Sequence, residues 1–209
     1  MTFIESVTLE VSDATAAEDF YKTAFGLGAR VGVRHSEEPT TGFRGFTMSL
    51  VVSQPSTVDS LISSALDGGA TSLKPVAKSF WGYGGVVQAP GGTIWKVATS
   101  SKKDTGPATR EIDDIVLLLG VADVKASKRF YVDQGLTVAK SFGSKYVEFE
   151  AQGSHLKLAL YSRRAAAKDA GVSPDGTGSH RIVVGTDAGP FTDPDGFAWE
   201  TVPTRTRSV

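Results

Sequence analysis

Three stretches of the chain carry side chains able to hold a small molecule. The densest is Lys78-Ser-Phe80-Trp81-Gly-Tyr83-Gly-Gly, with three aromatics within four residues followed by glycines. Rigid rings give a large stacking surface at low entropic cost, which suits a planar or apolar ligand, although aromatics dominate cores as well. Near the start, Ile4–Val11 alternates apolar and polar residues, so Ser6, Thr8 and Glu10 share one face of a strand. A polar face on a central strand needs a reason. Lys96 supplies one: if its face meets that of Ser6, the two would bind a carboxylate, a phenolate or another anion in a partly desolvated pocket. A structural Lys96–Glu10 ion pair is the competing reading, because buried charges are usually paired.

Composition removes most other chemistries. With no Cys there are no disulfides, thiolate metal sites or thiol nucleophiles, and three His (His35, His155 and His180) exclude a His-rich metal centre. Lys and Arg number 22 against 23 Asp and Glu, so no net positive field attracts nucleic acid or an anionic membrane. No apolar run reaches the ~18 to 20 residues of a membrane span, and Met1 to Glu10 lacks the pattern of a secretory signal. A cytoplasmic location is expected. Phosphate-binding Gly-rich loops and a Gly-x-Ser-x-Gly elbow are missing, and Arg163-Arg164 is too short a basic cluster for nucleic acid.

The elements that must position these residues come as a repeat. Val11-Ser-Asp13, Phe20-Tyr21 and Gly26-Leu27 return as Val121-Ala-Asp123, Phe130-Tyr131 and Gly135-Leu136. Ala89-Pro-Gly-Gly-Thr-Ile-Trp95-Lys96 returns as Asp193-Pro-Asp-Gly-Phe-Ala-Trp199-Glu200. The polar stretch Ser100–Ala108 separates the copies, giving a first module at 1–100, a linker at 101–109 and a shortened second module at 110–209. Asp13 predicts a helix over Ala14–Phe25 stopped by Gly26, and Ser56 caps a second over Thr57–Leu66. Helices are also predicted at Val124–Asp133 and Arg163–Ala170, with short strands elsewhere.

Val-x-Asp, Phe-Tyr and Gly-Leu, answered by Asp-Pro-Asp-Gly-x-x-Trp-Glu, resemble the vicinal oxygen chelate superfamily over essentially the whole chain. That superfamily includes glyoxalase I, bleomycin- and fosfomycin-resistance proteins and extradiol dioxygenases. The resemblance implies an α+β fold of tandem βαβββ modules forming a cup-shaped mixed sheet, with the ligand inside and the Phe80–Tyr83 loop at its border. It also implies a divalent metal on the inner face, held by His, Gln or Glu near a first strand, a His where a new unit begins and a Glu on the last strand.

His180 and Glu200 match two of those positions. Alternation puts Ala198 and Glu200 on one face and Phe197 and Trp199 on the other, under the helices. Lys96 takes the Glu position in the first copy, where a protonated amine has no lone pair to offer a cation. The first-strand positions are Ser6 and Val116. A third ligand would have to come from Glu5, Asp114 or Glu148, of which Asp114 shares a strand face with Val116. The chain also departs from the pattern: the first half lacks strands after its opening βα, and the second lacks a helix and two strands before Asp193. The N-terminal βαβ piece and the C-terminal strand pair are therefore candidates to complete one another.

These residues predict a protein that binds or sequesters a small aromatic or anionic molecule without a metal, as a monomer or homodimer. Phe80, Trp81 and Tyr83 form its platform, and Lys96 and Ser6 its polar anchors. The rival reading is a metal-dependent lyase, isomerase or dioxygenase using His180 and Glu200. A structural or partner-binding protein is the third, favoured if the cup is filled.

Overall fold

Asp13 and Asp123 each end a strand and start a helix, and that device sets the architecture twice. In the computed structural model, which describes residues 2–80, 82–151 and 156–202, β1 (Ile4–Val11) leads into α1 (Ala14–Phe25). The Asp13 carboxylate accepts from Ala16 N at 2.9 Å, and Gly26 closes the helix in the left-handed region. A 3-10 turn at Gly28–Arg30 delays β2 to Gly32–His35, followed by β3 (Thr40–Gly42) and β4 (Phe46–Val51). The next helix, α2 (Pro55–Asp67), starts after Gln54 rather than Ser56, with no side-chain cap, and Pro55 takes the first turn, where its missing N–H costs nothing. β5 (Thr71–Ser79), β6 (Gly82–Gln88) and β7 (Ile94–Thr99) follow. The second half holds β8 (Asp114–Val121), α3 (Val124–Asp133), β9 (Val138–Phe142), β10 (Tyr146–Phe149), β11 (Leu156–Ser162) and α4 (Arg163–Ala170). β12 (Gly176–Gly178), β13 (Ile182–Thr186), β14 (Phe191–Thr192) and β15 (Ala198–Thr201) close the described chain.

Two βαβββ units are complete, β4 to β7 and β8 to β11. In each the first strand runs parallel to the last, and β4 pairs antiparallel with β8 from Phe46 opposite Leu119 to Val51 opposite Asp114. The result is an eight-stranded sheet in the order β5-β6-β7-β4-β8-β11-β10-β9. The stretch 101–109 thus joins two strands of one sheet, and the division in sequence is no division in space. The two reduced units complete one another in a five-stranded sheet, β14-β15-β13-β1-β2, with β1 antiparallel to β13. β3 and β12 form a separate two-stranded ribbon.

The helix-bearing faces of both sheets share one core, containing Val7, Leu9, Met48, Leu50, Leu117, Leu119 and Val184. Trp95 packs against Tyr21 and Phe25 of α1 at ring separations of 5.3 and 5.2 Å, and Trp199 against Tyr131 of α3 at 5.4 Å. Each tryptophan is therefore committed to the helix side, which turns Lys96 and Glu200 to the opposite faces of their sheets.

Candidate functional site

The inner face of the eight-stranded sheet is a cup, and α4 lies in it. Ala166, Ala167 and Ala170 are buried against Phe43, Val86, Ile94, Leu118 and Ala159. Only small residues let a helix approach a sheet so closely, and Gly120 is part of the fit. A Cβ there would stand 3.1 Å from Ala166 Cβ, from Arg163 Cα and from Gly45 O. Gly120→Ala is expected to destabilise the protein by about 1–2 kcal/mol through overpacking and to speed proteolysis within α4. Limited proteolysis with urea denaturation checks this, and unchanged cleavage would contradict it.

Polar contacts hold α4 at both ends. Arg163 donates to Phe43 O at 2.5 Å and Pro174 O at 2.9 Å. At the other end Lys74 Nζ donates to the carbonyls of Lys168 and Asp169 at 2.7 and 2.8 Å, where a cation suits the helix dipole. Lys96 Nζ donates to Asp169 Oδ2 at 2.7 Å.

What α4 leaves open is a pocket of about 250 Å³ beside β5, β6 and β7. Its charged lining is Lys74, Lys78 and Lys96 against Asp169, with Gly84, Gly85 and Ala98 forming a thin floor. Lys96 and Tyr83 both border it, but the aromatic platform is not assembled there. Tyr83 packs at the edge of the shared core, and its hydroxyl donates to Asp59 of α2 at 2.7 Å. That hydrogen bond and burial push its phenol pKa up. Phe80 stands 82 % exposed at the β5–β6 turn, with the Lys102 ammonium 6.0 Å from its ring. Trp81 lies outside the described residues.

Ser6 sits on the other sheet, opposite Gly185, so its face does not meet that of Lys96. The Lys96–Glu10 pair does not form either. Glu10 takes the Arg34 guanidinium at 2.6 Å, and Arg34 also reaches Glu200 at 3.3 Å.

No protein-family model and no curated protein matches the chain. Solved structures do match over nearly its full length. Glyoxalase I from Zea mays aligns at a TM-score of 0.60 and 15 % identity, over 97 % of this chain and 92 % of that one. A candidate dioxygenase from Bacillus subtilis aligns at 0.60 and 10 % identity, over 95 % of this chain and 84 % of that one. The chain has the vicinal oxygen chelate fold.

That fold invites a test of the metal positions, and the residues present do not fit one. His180 directs Nδ1 at Arg44 O (2.5 Å) and Nε2 at Asp195 O (3.0 Å), and its ring stacks on Phe197 at 3.9 Å. Neither nitrogen is open to a cation. Glu200 pairs in register with Gly185 inside β13, whereas His180 lies before that strand, across Arg181 with its positive φ. They also belong to opposite faces, since His180 stacks on the core residue Phe197 while Glu200 points with Ala198 away from it. Asp114 is paired with Lys157 at 2.7 Å, and Glu148 accepts from Tyr146 Oη at 2.7 Å and pairs with Lys140 at 3.6 Å. Among the described residues no group of three His, Cys, Asp or Glu is placed to hold a metal ion.

Sequence reasoning missed Lys74, Asp169 and Arg34. Helix Arg163–Ala170 was legible, but nothing local says that it enters the cup. Lys74 escaped because register shifts on both sides of it break the alternation of β5.

Proposed function

We propose that this vicinal oxygen chelate protein binds a small anionic molecule in the pocket beside α4, without metal chemistry. The observation that carries the reading is charge: three lysines and one carboxylate surround the opening. At about 250 Å³ the space falls below the ~300–1,000 Å³ of sites for drug-sized ligands, so the ligand is a small one. Asp169 stands in for it. Its carboxylate takes the Lys96 ammonium at 2.7 Å in a part-exposed position, and an incoming carboxylate or phosphate would replace it there. Excess positive charge then draws the anion in, and the affinity falls as salt rises. The glycine floor lets a ligand approach the sheet backbone closely.

Calorimetric titration with inorganic phosphate, oxalate and benzoate tests this. At least one is expected to bind, about tenfold more weakly in Lys96→Gln and more tightly in Asp169→Asn, which removes the competing carboxylate. Binding indifferent to Lys96 and Lys78 would overturn the assignment of the pocket. No binding at all would favour the purely structural role that a helix filling the cup suggests. Stoichiometric nickel, manganese, zinc or iron(II) lost in Glu200→Ala would instead support the metal-dependent reading.

A further inference from the structure

Two cross-strand rows line the pocket beside α4, and they differ in kind. Lys74 of β5, Val86 of β6 and Lys96 of β7 lie opposite one another in the first. Ala77, Gly84 and Ala98 lie opposite one another in the second. Along β7 the step from Lys96 to Ala98 is two residues, so both side chains rise from one face, roughly 7 Å apart. α4 stops at the first row. Asp169 takes the Lys96 ammonium, and Val86 is buried in the cluster that contains Ala166 and Ala170. Gly171, which closes the helix, abuts the Lys74 stem.

Elsewhere on this face small residues answer the helix: Gly120 and Ala159 are small where α4 packs. The second row lies beyond the helix end. Gly84 and Ala98 are half-buried there, Ala77 is exposed, and all three line the pocket of about 250 Å³. Glycine and alanine are depleted in strands, where β-branched residues pack better. For Gly84 the neighbouring strand explains the choice, since a Cβ would stand 2.8 Å from Val97 O and 3.0 Å from Ala98 Cβ. Ala77 and Ala98 face the open pocket, so packing does not demand alanine at either. Three strands spaced about 4.8 Å apart thus present nothing larger than a methyl group, a flat apolar strip that ends at an ammonium.

We propose that the anion taken by this pocket is an aryl carboxylate, an inference that rests on the anion-binding function proposed above. Its carboxylate meets the Lys96 ammonium in place of Asp169, and its ring lies flat on the Ala77–Gly84–Ala98 strip. A planar ring gains contact over all of a flat floor, where a puckered one touches at a few points. Lys96 sets the charge of the ligand, and Ala98 and Gly84 set its shape. A β-branched or longer side chain at Ala98 would stand where the ring lies.

Titration with sodium acetate, cyclohexanecarboxylate and benzoate at constant ionic strength, followed by amide chemical shifts, tests it. The three share one charge and differ in having no ring, a puckered ring and a flat one. Wild type is expected to bind benzoate about tenfold more tightly than acetate and several-fold more tightly than cyclohexanecarboxylate. In Ala98→Leu the benzoate-to-acetate ratio should fall towards one, whereas Lys96→Gln should weaken both ligands and leave the ratio near its wild-type value. If Ala98→Leu fails to fold, Ala77→Leu at the exposed position of the same row should lower the ratio instead. Acetate bound as tightly as benzoate, cyclohexanecarboxylate equal to benzoate, or a ratio untouched by both leucine variants would overturn the aryl assignment and leave anion binding standing. Failure of all three to bind, or binding indifferent to Lys96, would overturn the anion-binding reading and this inference with it.

Discussion

Asp193→Ala is expected to destabilise the protein by about 3–5 kcal/mol, against a total stability of about 5–15 kcal/mol for a domain. The carboxylate is 5 % exposed and accepts from a tyrosine hydroxyl and two backbone N–H groups. Removing it strands three buried donors at once, each costing about 1–3 kcal/mol if left dry. Burial raises the pKa of this carboxyl, and the donors around it act in the opposite direction. Asp193→Asn should fall between wild type and alanine. Its oxygen still serves Phe197 and Asp195, but its amide would face the Tyr131 hydroxyl as a second donor. Tyr131→Phe should therefore cost less in the Asp193→Asn background than alone, and urea denaturation of the double-mutant cycle measures the difference. An alanine variant within ~0.5 kcal/mol of wild type would mean the turn holds itself. The first half keeps the backbone bonds of a turn of that shape with alanine at the matching position, Ala89 N to Thr93 O at 2.9 Å and Gly92 N to Ala89 O at 2.8 Å.

The second large effect is alkaline. Burial is the main cause raising the phenol pKa of Tyr21, and that of Tyr131 stands well above the ordinary 10.0 through burial and the nearby Asp193 charge. Both rings are almost fully buried. The folded state keeps these protons while the unfolded chain gives them up near pH 10. Their contribution is therefore fully present below pH 10 and is lost as pH rises through the folded values. Each such group contributes a slope of about 1.4 kcal/mol per pH unit, so the pair removes about 2.7 kcal/mol per unit above pH 10. Urea midpoints at pH 9, 10 and 11 should show this, and Tyr131→Phe should lessen the slope by about 1.4 kcal/mol per pH unit. Parallel curves for the two proteins would refute the assignment.

Much of the fold was legible because it rests on local chemistry. Asp13 and Asp123 cap their helices by reaching a backbone N–H three residues on, Gly26 turns where other residues would strain, and alternation committed Trp95 and Trp199 to the helix side. The repeat itself exposed the missing elements, and with them the way the two ends of the chain complete one sheet. The candidate site was legible in Lys96 and in Lys78 and Tyr83 of the aromatic motif. The partner of Lys96, Asp169, lies 73 positions away on a helix that reads as an ordinary amphipathic segment.

By itself, then, the sequence determined the elements, the repeat, the faces of the strands and the fold they resemble, all consequences of interactions within a few residues. Tertiary structure alone decided which charges meet. It placed Ser6 and Lys96 on different sheets, turned His180 and Glu200 to opposite faces, and laid α4 into the cup beside three lysines. The physical reason is that a strand's face follows from a period of two, whereas the neighbour it faces depends on pairings made across the whole chain.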